Sequence, residues 1–295
     1  MKKVGFIGVG AMGHWMVKNL VGHVESLIIF DANKKALKMF EHEHIDLANS
    51  IAEVGEKSDL VILMLPNSTI VQDVVLGEGG LINSLRENAL IIDMSSSYTF
   101  ETTKMKALLD KKGIRLLDAP VSGGVPKAKS GELTIMVGGD KDDLQEANEV
   151  IRHLGTQIKL IGKTGTGHAL KAINNYLAAA TMYATAEALM LAKKVGIAPE
   201  TALESINTST GRSHSSEFKY PTYVLPREFV SNFSLGLQLK DINMAKDMAS
   251  DVHMPMLLGS SLIEIYEAAS ITGGDKQDHT EIIKFLERIS EEKLT

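Results

Sequence analysis

The sequence predicts an α/β fold, a mainly parallel sheet with helices on both faces, followed by an all-helical part. Three observations predict it. Short apolar runs alternate with amphipathic segments through the first half of the 295 residues, the pattern of βαβ units. A glycine-rich turn follows the first apolar run. After about residue 163 strand-like runs cease and the patterning becomes helical.

The strand-like runs cover residues 4–7, 27–30, 60–65, 90–92 and 114–117, and "LTIMVGG" at 133–139 reads as a further strand. Between them the spacing predicts helices over 12–21, 34–40 and 99–112. Asp140 is placed to cap a helix running to about residue 153, as a side-chain acceptor before exposed N–H groups. Residues 166–195 form one nearly unbroken helical pattern with no internal proline, no glycine after Gly167, and Gly196 as its stop. At 1.5 Å per residue that is a rod of roughly 45 Å. Apolar residues cover much of its circumference, which predicts burial between domains or subunits. Residues 199–207, 236–251, 256–269 and 279–292 read as further helices. The division expected is a dinucleotide-binding domain over 1–163 and an all-helical domain for substrate and oligomerisation over 164–295.

Composition narrows the function classes. Hydrophobic residues make up 44% and charged residues 23%, as in an ordinary globular protein. A net charge of -6 points away from nucleic acid and from a polybasic membrane contact. Cysteine is absent, which removes disulfide and thiol chemistry and fits a cytoplasmic setting. No run of 18 apolar residues suggests a membrane span. Met1-Lys2-Lys3 before an apolar stretch imitates a secretory signal, but glycines and a histidine interrupt the stretch and no small-residue cleavage pattern follows. "EHEH" at 41–44 has i,i+2 spacing, which a helix splays onto different faces, so it reads as a solvated helix end rather than a metal site.

The turn after the first strand reads Gly8-Val9-Gly10-Ala11-Met12-Gly13, the G-x-G-x-x-G pattern of a Rossmann-type dinucleotide site. Gly8 permits the tight turn, Gly10 lets a pyrophosphate approach the backbone, and Gly13 allows close helix–strand packing. Ala11 and Met12 belong to the same binding turn, and the helix N-terminus supplies N–H groups and a positive dipole end. Asp31 ends the second apolar run, where it would accept hydrogen bonds from the adenosine ribose hydroxyls. Its carboxylate would repel a 2′-phosphate and Ala32 offers no arginine to hold one, so NAD is expected over NADP. Lys34 and Lys35 leave NADP possible.

Three later stretches join this turn: "DAPVSGGVPKAKSG" at 118–131, "GTGHALKAINN" at 165–175 and "LQLKD" at 237–241. Ser122-Gly123-Gly124 offers a hydroxyl and unhindered N–H groups suited to a carboxylate. Lys171, with apolar neighbours Leu170, Ala172 and Ile173, has Asn175 at i+4 on the same helix face. An amine there can give a proton to an aldehyde oxygen as hydride arrives, or take one from the alcohol in reverse.

Taken together, in this order and spacing, the four motifs make the whole chain similar to the β-hydroxyacid dehydrogenase family, which includes 3-hydroxyisobutyrate dehydrogenase and tartronate semialdehyde reductase. The resemblance implies that Ser122, Gly123 and Gly124 bind substrate. It further implies that Lys171 is the catalytic acid/base with Asn175 as its partner, and that Lys240 reaches back to the cofactor. Lys240, partial burial, or both would favour the neutral amine of Lys171. Alternatively, Lys240 is an intrahelical partner for Asp241 or Asp247. Leu65 and Pro66, at the end of "MLPNS", are expected to border the cofactor, and Ser96 to lie near the nicotinamide ribose.

The expected activity is NAD-dependent, reversible hydride transfer between a small 3-hydroxy acid and its semialdehyde, by a cytoplasmic homodimer or homotetramer. Alternative substrates are tartronate semialdehyde, succinic semialdehyde and sulfolactaldehyde, with selection expected from residues 209–221 and Phe233. A 6-phosphogluconate-type oxidative decarboxylation is disfavoured by length and by the lack of an arginine cluster near Arg212 or Arg227. Imine reduction is disfavoured by the presence of Lys171. A non-catalytic cofactor-binding module is the remaining class.

Overall fold

In the computed structural model, which describes residues 2–41 and 45–295, nine strands make one sheet. They are β1 (Lys3–Ile7), β2 (Ser26–Phe30), β3 (Asp46–Leu47), β4 (Leu60–Leu63), β5 (Leu90–Asp93), β6 (Arg115–Asp118), β7 (Val121–Ser122), β8 (Leu133–Gly138) and β9 (Gly155–Gly162). Their order is β3-β2-β1-β4-β5-β6-β8-β7, with β9 also on β8. Strands β3 to β6 pair in parallel, giving the doubly wound order 3-2-1-4-5-6; β8 runs antiparallel to β6 and β7.

Alternation along these strands builds two separate cores. Val4, Phe6, Leu60, Ile62, Leu90 and Ile92 enter one apolar cluster, while Ile7, Val61, Leu63 and Ile91 enter the other. Side chains of successive strand residues point to opposite faces, so a strand buried on both sides must be apolar throughout. Met16, Val17 and Leu20 of α1 (Gly13–Leu20) pack in the first cluster. Beyond α2 (Lys34–Leu37), Val54 of α3 (Ile51–Lys57) and Val71, Val74 and Val75 of α4 (Ser68–Leu76) pack in the second. After α5 (Leu81–Ser84), α6 (Thr99–Asp110) adds Met105 and Leu109 to that second cluster. Ala128 of α7 (Gly124–Ser130) and Ala147, Val150 and Ile151 of α8 (Lys141–Ile151) return to the first. Ser50, Asn67 and Asp140 each cap the helix that follows by accepting from a backbone N–H, the last as the sequence predicts.

The chain contacts divide it into two compact units, Met1–Lys171 and Ala172–Thr295. Helix α9 (Thr166–Lys194) begins in the first unit and runs on into the second. In the second unit Ala179, Met182, Tyr183, Ala186, Leu189 and Met190 form its buried stripe. The spacing is that of one helix face. Tyr220 and Tyr266, both fully buried, donate their hydroxyls to the Met182 and Ala179 carbonyls of that helix. Around it stand α10 (Pro199–Asn207), α11 (Leu235–Asp251), α12 (Leu257–Gly273) and α13 (Ile282–Ile289).

Several boundaries differ from the sequence pattern. The third run stops as a strand at Leu63, because Leu65 N donates to Ser95 Oγ instead of to a neighbouring strand. The helix expected over 34–40 tightens into a 3-10 turn at Lys38–Phe40, and the one expected from 279 opens as a 3-10 turn at His279–Glu281. Residues Ser215–Val224 form a π-helical segment with Pro221 inside, and Leu225 N reaches back to Tyr220 O. Of the "EHEH" stretch, residues 42–44 lie outside the described residues. Among the described residues no helix is long and apolar enough to cross a membrane.

Candidate active site

The glycine turn leaves β1 with Gly8 at φ +101°, a conformation side chains rarely adopt, and Gly8 N donates to Phe30 O. A Cβ on Gly13 would stand 1.9 Å from Gly8 O, so α1 approaches the strand more closely than any side chain allows. Gly10 is different: a Cβ there would meet nothing within 4 Å. The space over this exposed residue is what a pyrophosphate needs, and the turn therefore fits a dinucleotide. Ala11 and Met12 complete the turn, and Trp15, the chain's single tryptophan, stands just inside α1 with Lys129 Nζ 4.8 Å from its ring. Asp31, after β2, receives Val9 N on Oδ2 at 2.8 Å and Asn33 N on Oδ1 at 2.7 Å. The second glycine-turn residue thus hydrogen-bonds to the acid that the motif pairs with it.

Leu65 lies beside this turn, since a Cβ on Gly8 would come within 3.1 Å of its Cδ2. Pro66 is exposed next to it. Leu65 N donates to Ser95 Oγ at 2.9 Å, which brings the loop after β4 to the loop after β5. There Ser96 is half-buried between buried Ser95 and Ser97, whose main chain and hydroxyl both hold Asp93. Cofactor-side residues Gly8, Asp31, Leu65 and Ser96 therefore gather at the carboxyl ends of adjacent parallel strands, where open α/β sheets bind ligands.

The amino end of α9 is tied to the same edge. Asp118, at the end of β6, accepts Gly165 N on Oδ1 at 2.6 Å and His168 N on Oδ2 at 2.9 Å. Burial pushes its carboxyl up, while His168 and these two N–H donors pull it down. Lys171 follows one turn after His168, half-buried, with its neighbour Ala172 buried and Ile173 exposed. Ser122 ends β7, and Gly123 and Gly124 follow at φ +128° and +65°, both exposed. A Cβ on Gly124 would meet only Pro126 Cδ at 3.7 Å, while the Lys127 side chain packs against Gly123, so the turn offers backbone N–H groups beside an amine-bearing side chain, as suits a carboxylate.

In the second unit Asn175 is buried, and its amide is held at both ends. Nδ2 donates to Asp241 Oδ2 at 2.5 Å, and Oδ1 accepts from Asn174 Nδ2 at 3.2 Å. Gln238 Nε2 donates to the Asn175 carbonyl at 3.0 Å. Lys240 Nζ lies 3.2 Å from Asp241 Oδ1, so the acid expected as its intrahelical neighbour contacts it, and the same acid orients Asn175. The stretch 209–221 is less open than its composition implies. Lys219 Nζ is 2.5 Å from His279 Nε2, Ser213 bonds Ser216, and exposed Arg212 stands 3.9 Å from Glu217. Arg227 is paired with Glu287.

Sequence reasoning did not single out Asp118, His168, Gln238 or Asp241 for the site. Gln238 and Asp241 are i,i+3 within "LQLKD", a spacing that places both on one helix face and could have marked them. Asp118 carries no local signal, because its partners are 47 and 50 residues away.

Two family models match the chain. That of the NAD-binding domain of 6-phosphogluconate dehydrogenase covers residues 3–162, and that of the NAD-binding region of NADP-dependent 3-hydroxyisobutyrate dehydrogenase covers 165–286. A 2-(hydroxymethyl)glutarate dehydrogenase from Eubacterium barkeri is 34% identical over 98% of this chain and 96% of its own length. Mitochondrial 3-hydroxyisobutyrate dehydrogenase from Homo sapiens is 36% identical over 96% of this chain and 86% of its own. Among solved structures, a Mycobacterium tuberculosis 3-hydroxyisobutyrate dehydrogenase with L-serine superposes with a TM-score of 0.90 at 30% identity, covering 97% of this chain and 99% of that one. With both halves matched and relatives similar over their whole length, the chain belongs to the β-hydroxyacid dehydrogenase family.

Proposed function

We propose that this protein is an NAD(H)-dependent oxidoreductase that interconverts a small 3-hydroxy acid and its semialdehyde, with Lys171 as the general acid/base. The observation that carries the reading is Lys171 itself. An amine stands one turn into α9, with an amide on the next turn whose orientation Asp241 holds. When bound, NADH supplies the hydride that converts the aldehyde carbon to an alcohol carbon, leaving NAD⁺. Lys171 Nζ gives the proton to the carbonyl oxygen and, in the oxidative direction, takes it from the hydroxyl. Asn175 orients that oxygen without adding charge. Ser122, Gly123 and Gly124 hold the substrate carboxylate, and Gly8, Gly10, Ala11, Met12, Gly13, Asp31, Leu65, Pro66 and Ser96 hold the dinucleotide. Lys240, whose amine contacts Asp241, is assigned with them to the cofactor.

Names of the relatives support the substrate class, since they name 2-(hydroxymethyl)glutarate and 3-hydroxyisobutyrate, each a 3-hydroxy acid. Asp31 supports NAD over NADP. Exposed apolar side chains on α9 (Leu177, Leu191) and α12 (Leu257, Ile271) support a homodimer or homotetramer, to be measured by light scattering. A cytoplasmic location fits a chain without cysteine.

The test is NADH oxidation followed spectrophotometrically against methylmalonate, tartronate and succinic semialdehydes and sulfolactaldehyde, with Lys171→Ala as control. Turnover of one of these by the parent and its loss in the variant is expected. Full activity in Lys171→Ala would overturn the assignment of the acid/base. Tight NADH binding without turnover of any aldehyde would instead favour a cofactor-binding module.

A further inference from the structure

A buried polar network joins the cofactor-side loops to the turn of α9 that carries Lys171, and it lies wholly within Met1–Lys171. Its centre is His168, buried with Asp93, Asp118 and Thr102. Thr102 Oγ1 donates to Tyr98 O at 3.0 Å, which spends its single proton, so at 2.8 Å from His168 Nδ1 it must accept. The imidazole therefore carries hydrogen on Nδ1. Its other nitrogen, Nε2, stands 3.6 Å from Asp93 Oδ2. That carboxylate is itself fixed by Ser95 N at 3.0 Å and Ser97 Oγ at 3.1 Å. On the opposite side Asp118 takes the N–H groups of Gly165 and His168.

Room for Asp118 depends on two glycines. A Cβ on Gly138 would lie 2.6 Å from Oδ1, and one on Gly167 would lie 2.8 Å from Oδ2. No such density of buried polar groups is needed to start a helix. One capping side chain on the preceding residue suffices elsewhere in this chain, at Ser50, Asn67 and Asp140. Here two carboxylates and an imidazole from three separate elements converge on a single turn. Leu65 N on Ser95 Oγ extends the same chain of contacts to the loop beside the glycine turn.

We infer that Asp118 and His168 are positioning residues for hydride transfer: the Asp118 carboxylate and the Thr102–His168 hydrogen bond fix the first turn of α9, and so set Lys171 against the loops carrying Leu65 and Ser96. The inference rests on the reading of Lys171 as acid/base. Neither residue touches the reacting atoms; each acts through the placement of Lys171. A displacement of about 1 Å in such a group costs on the order of 100-fold in rate.

The experiment is single-turnover oxidation of enzyme-bound NADH by a turned-over aldehyde. The rate constant reads placement and the amplitude reads the amount of folded, NADH-loaded protein. Asp118→Asn keeps one acceptor oxygen and is expected to lower the rate constant about 100-fold with its amplitude retained. His168→Leu is expected to lower it similarly. His168→Asn, whose amide can restore an N–H toward Thr102 Oγ1, should recover part of that loss. Thr102→Val, nearly isosteric, removes the acceptor for Nδ1–H together with the hydroxyl's own bond to Tyr98 O, and carries the same test should Asp118→Asn not fold. A rate constant equal to the parent's in these variants, with only amplitude or melting temperature reduced, overturns the inference and leaves a purely structural network. A parent inactive on every aldehyde, or an active Lys171→Ala, would instead remove the functional reading on which it rests.

Discussion

Asn175 Nδ2 donates to Asp241 Oδ2 at 2.5 Å, and both side chains are buried. A carboxylate only accepts, so it decides which end of the amide faces it and leaves Asn175 Oδ1 pointing along α9 toward Asn174. Asp241→Ala removes that choice and leaves a buried amide without its strongest partner. Hydrogen bonds to charged groups contribute about 1.5–3 kcal/mol, so kcat/KM is expected to fall about 10- to 100-fold. NADH affinity should hold, and energy transfer from the single tryptophan, Trp15, to bound NADH reads it. An unchanged kcat/KM in Asp241→Ala would mean that the orientation of Asn175 does not matter to the reaction.

Two glycines of one motif should fail in different ways. A Cβ on Gly10 enters open space, so Gly10→Ala is expected to fold with an unchanged melting temperature. The same methyl stands where a pyrophosphate would approach, and NADH affinity should drop at least about tenfold, or about 1.4 kcal/mol. Gly13→Ala drives a Cβ to 1.9 Å from Gly8 O, and overpacking of this kind costs about 1–3 kcal/mol of stability. Thermal unfolding and Trp15–NADH energy transfer on both variants separate the two effects. Equal loss of stability in both would refute the distinction.

Asp31 should control the choice of dinucleotide. Its carboxylate is held at the end of β2 by Val9 N and Asn33 N, so it cannot swing away from an approaching 2′-phosphate without losing both. Like charges brought together at a binding surface cost several kcal/mol. The ratio of kcat/KM for NADH over NADPH should therefore exceed one in the parent and fall at least about tenfold in Asp31→Ser. Exposed Lys34 and Lys35 would then favour the phosphate. Matched kinetics with the two cofactors in the parent would remove the preference.

The parts of this molecule legible in sequence are those written in local periodicity. Continuous apolar strands, the glycine turn and the uninterrupted helix of α9 each follow from a few neighbouring residues, and the doubly wound sheet follows from their alternation. Strand β9 escaped because Lys159 breaks its apolar run and half of its residues are exposed. The π-helical stretch Ser215–Val224 escaped because its i→i+5 bonding around Pro221 has no periodic signature. Gly8, Asp31, Leu65, Ser96 and Lys171 were recognisable as motif residues. Asp118 and His168 were not, since the contacts of His168 with Asp118 and with Asp93 join residues 50 or more apart.

A last prediction concerns acid stability and a histidine outside the site. His279 is buried, and burial, with the Lys219 ammonium beside it, depresses its pKa from 6.5 to about 3. Its partners agree with a neutral ring: Nε2 faces Lys219 Nζ and must accept, while Nδ1 lies 2.9 Å from Ser231 Oγ and 3.1 Å from Phe233 O and must donate. The unfolded chain takes up a proton near the ordinary value of 6.5, whereas the folded chain refuses it until about 3. The contribution is therefore fully present above pH 6.5 and is lost as pH falls through that window, by about 1.4 kcal/mol per pH unit for one proton. His279→Gln can still accept from Lys219 through its amide oxygen but cannot titrate. Denaturant unfolding at pH 7.5, 6, 5 and 4 (values chosen to span the window at roughly unit steps) should show a shallower decline in the variant than in the parent. Parallel curves would show that His279 takes up its proton in the folded protein as readily as in the unfolded one.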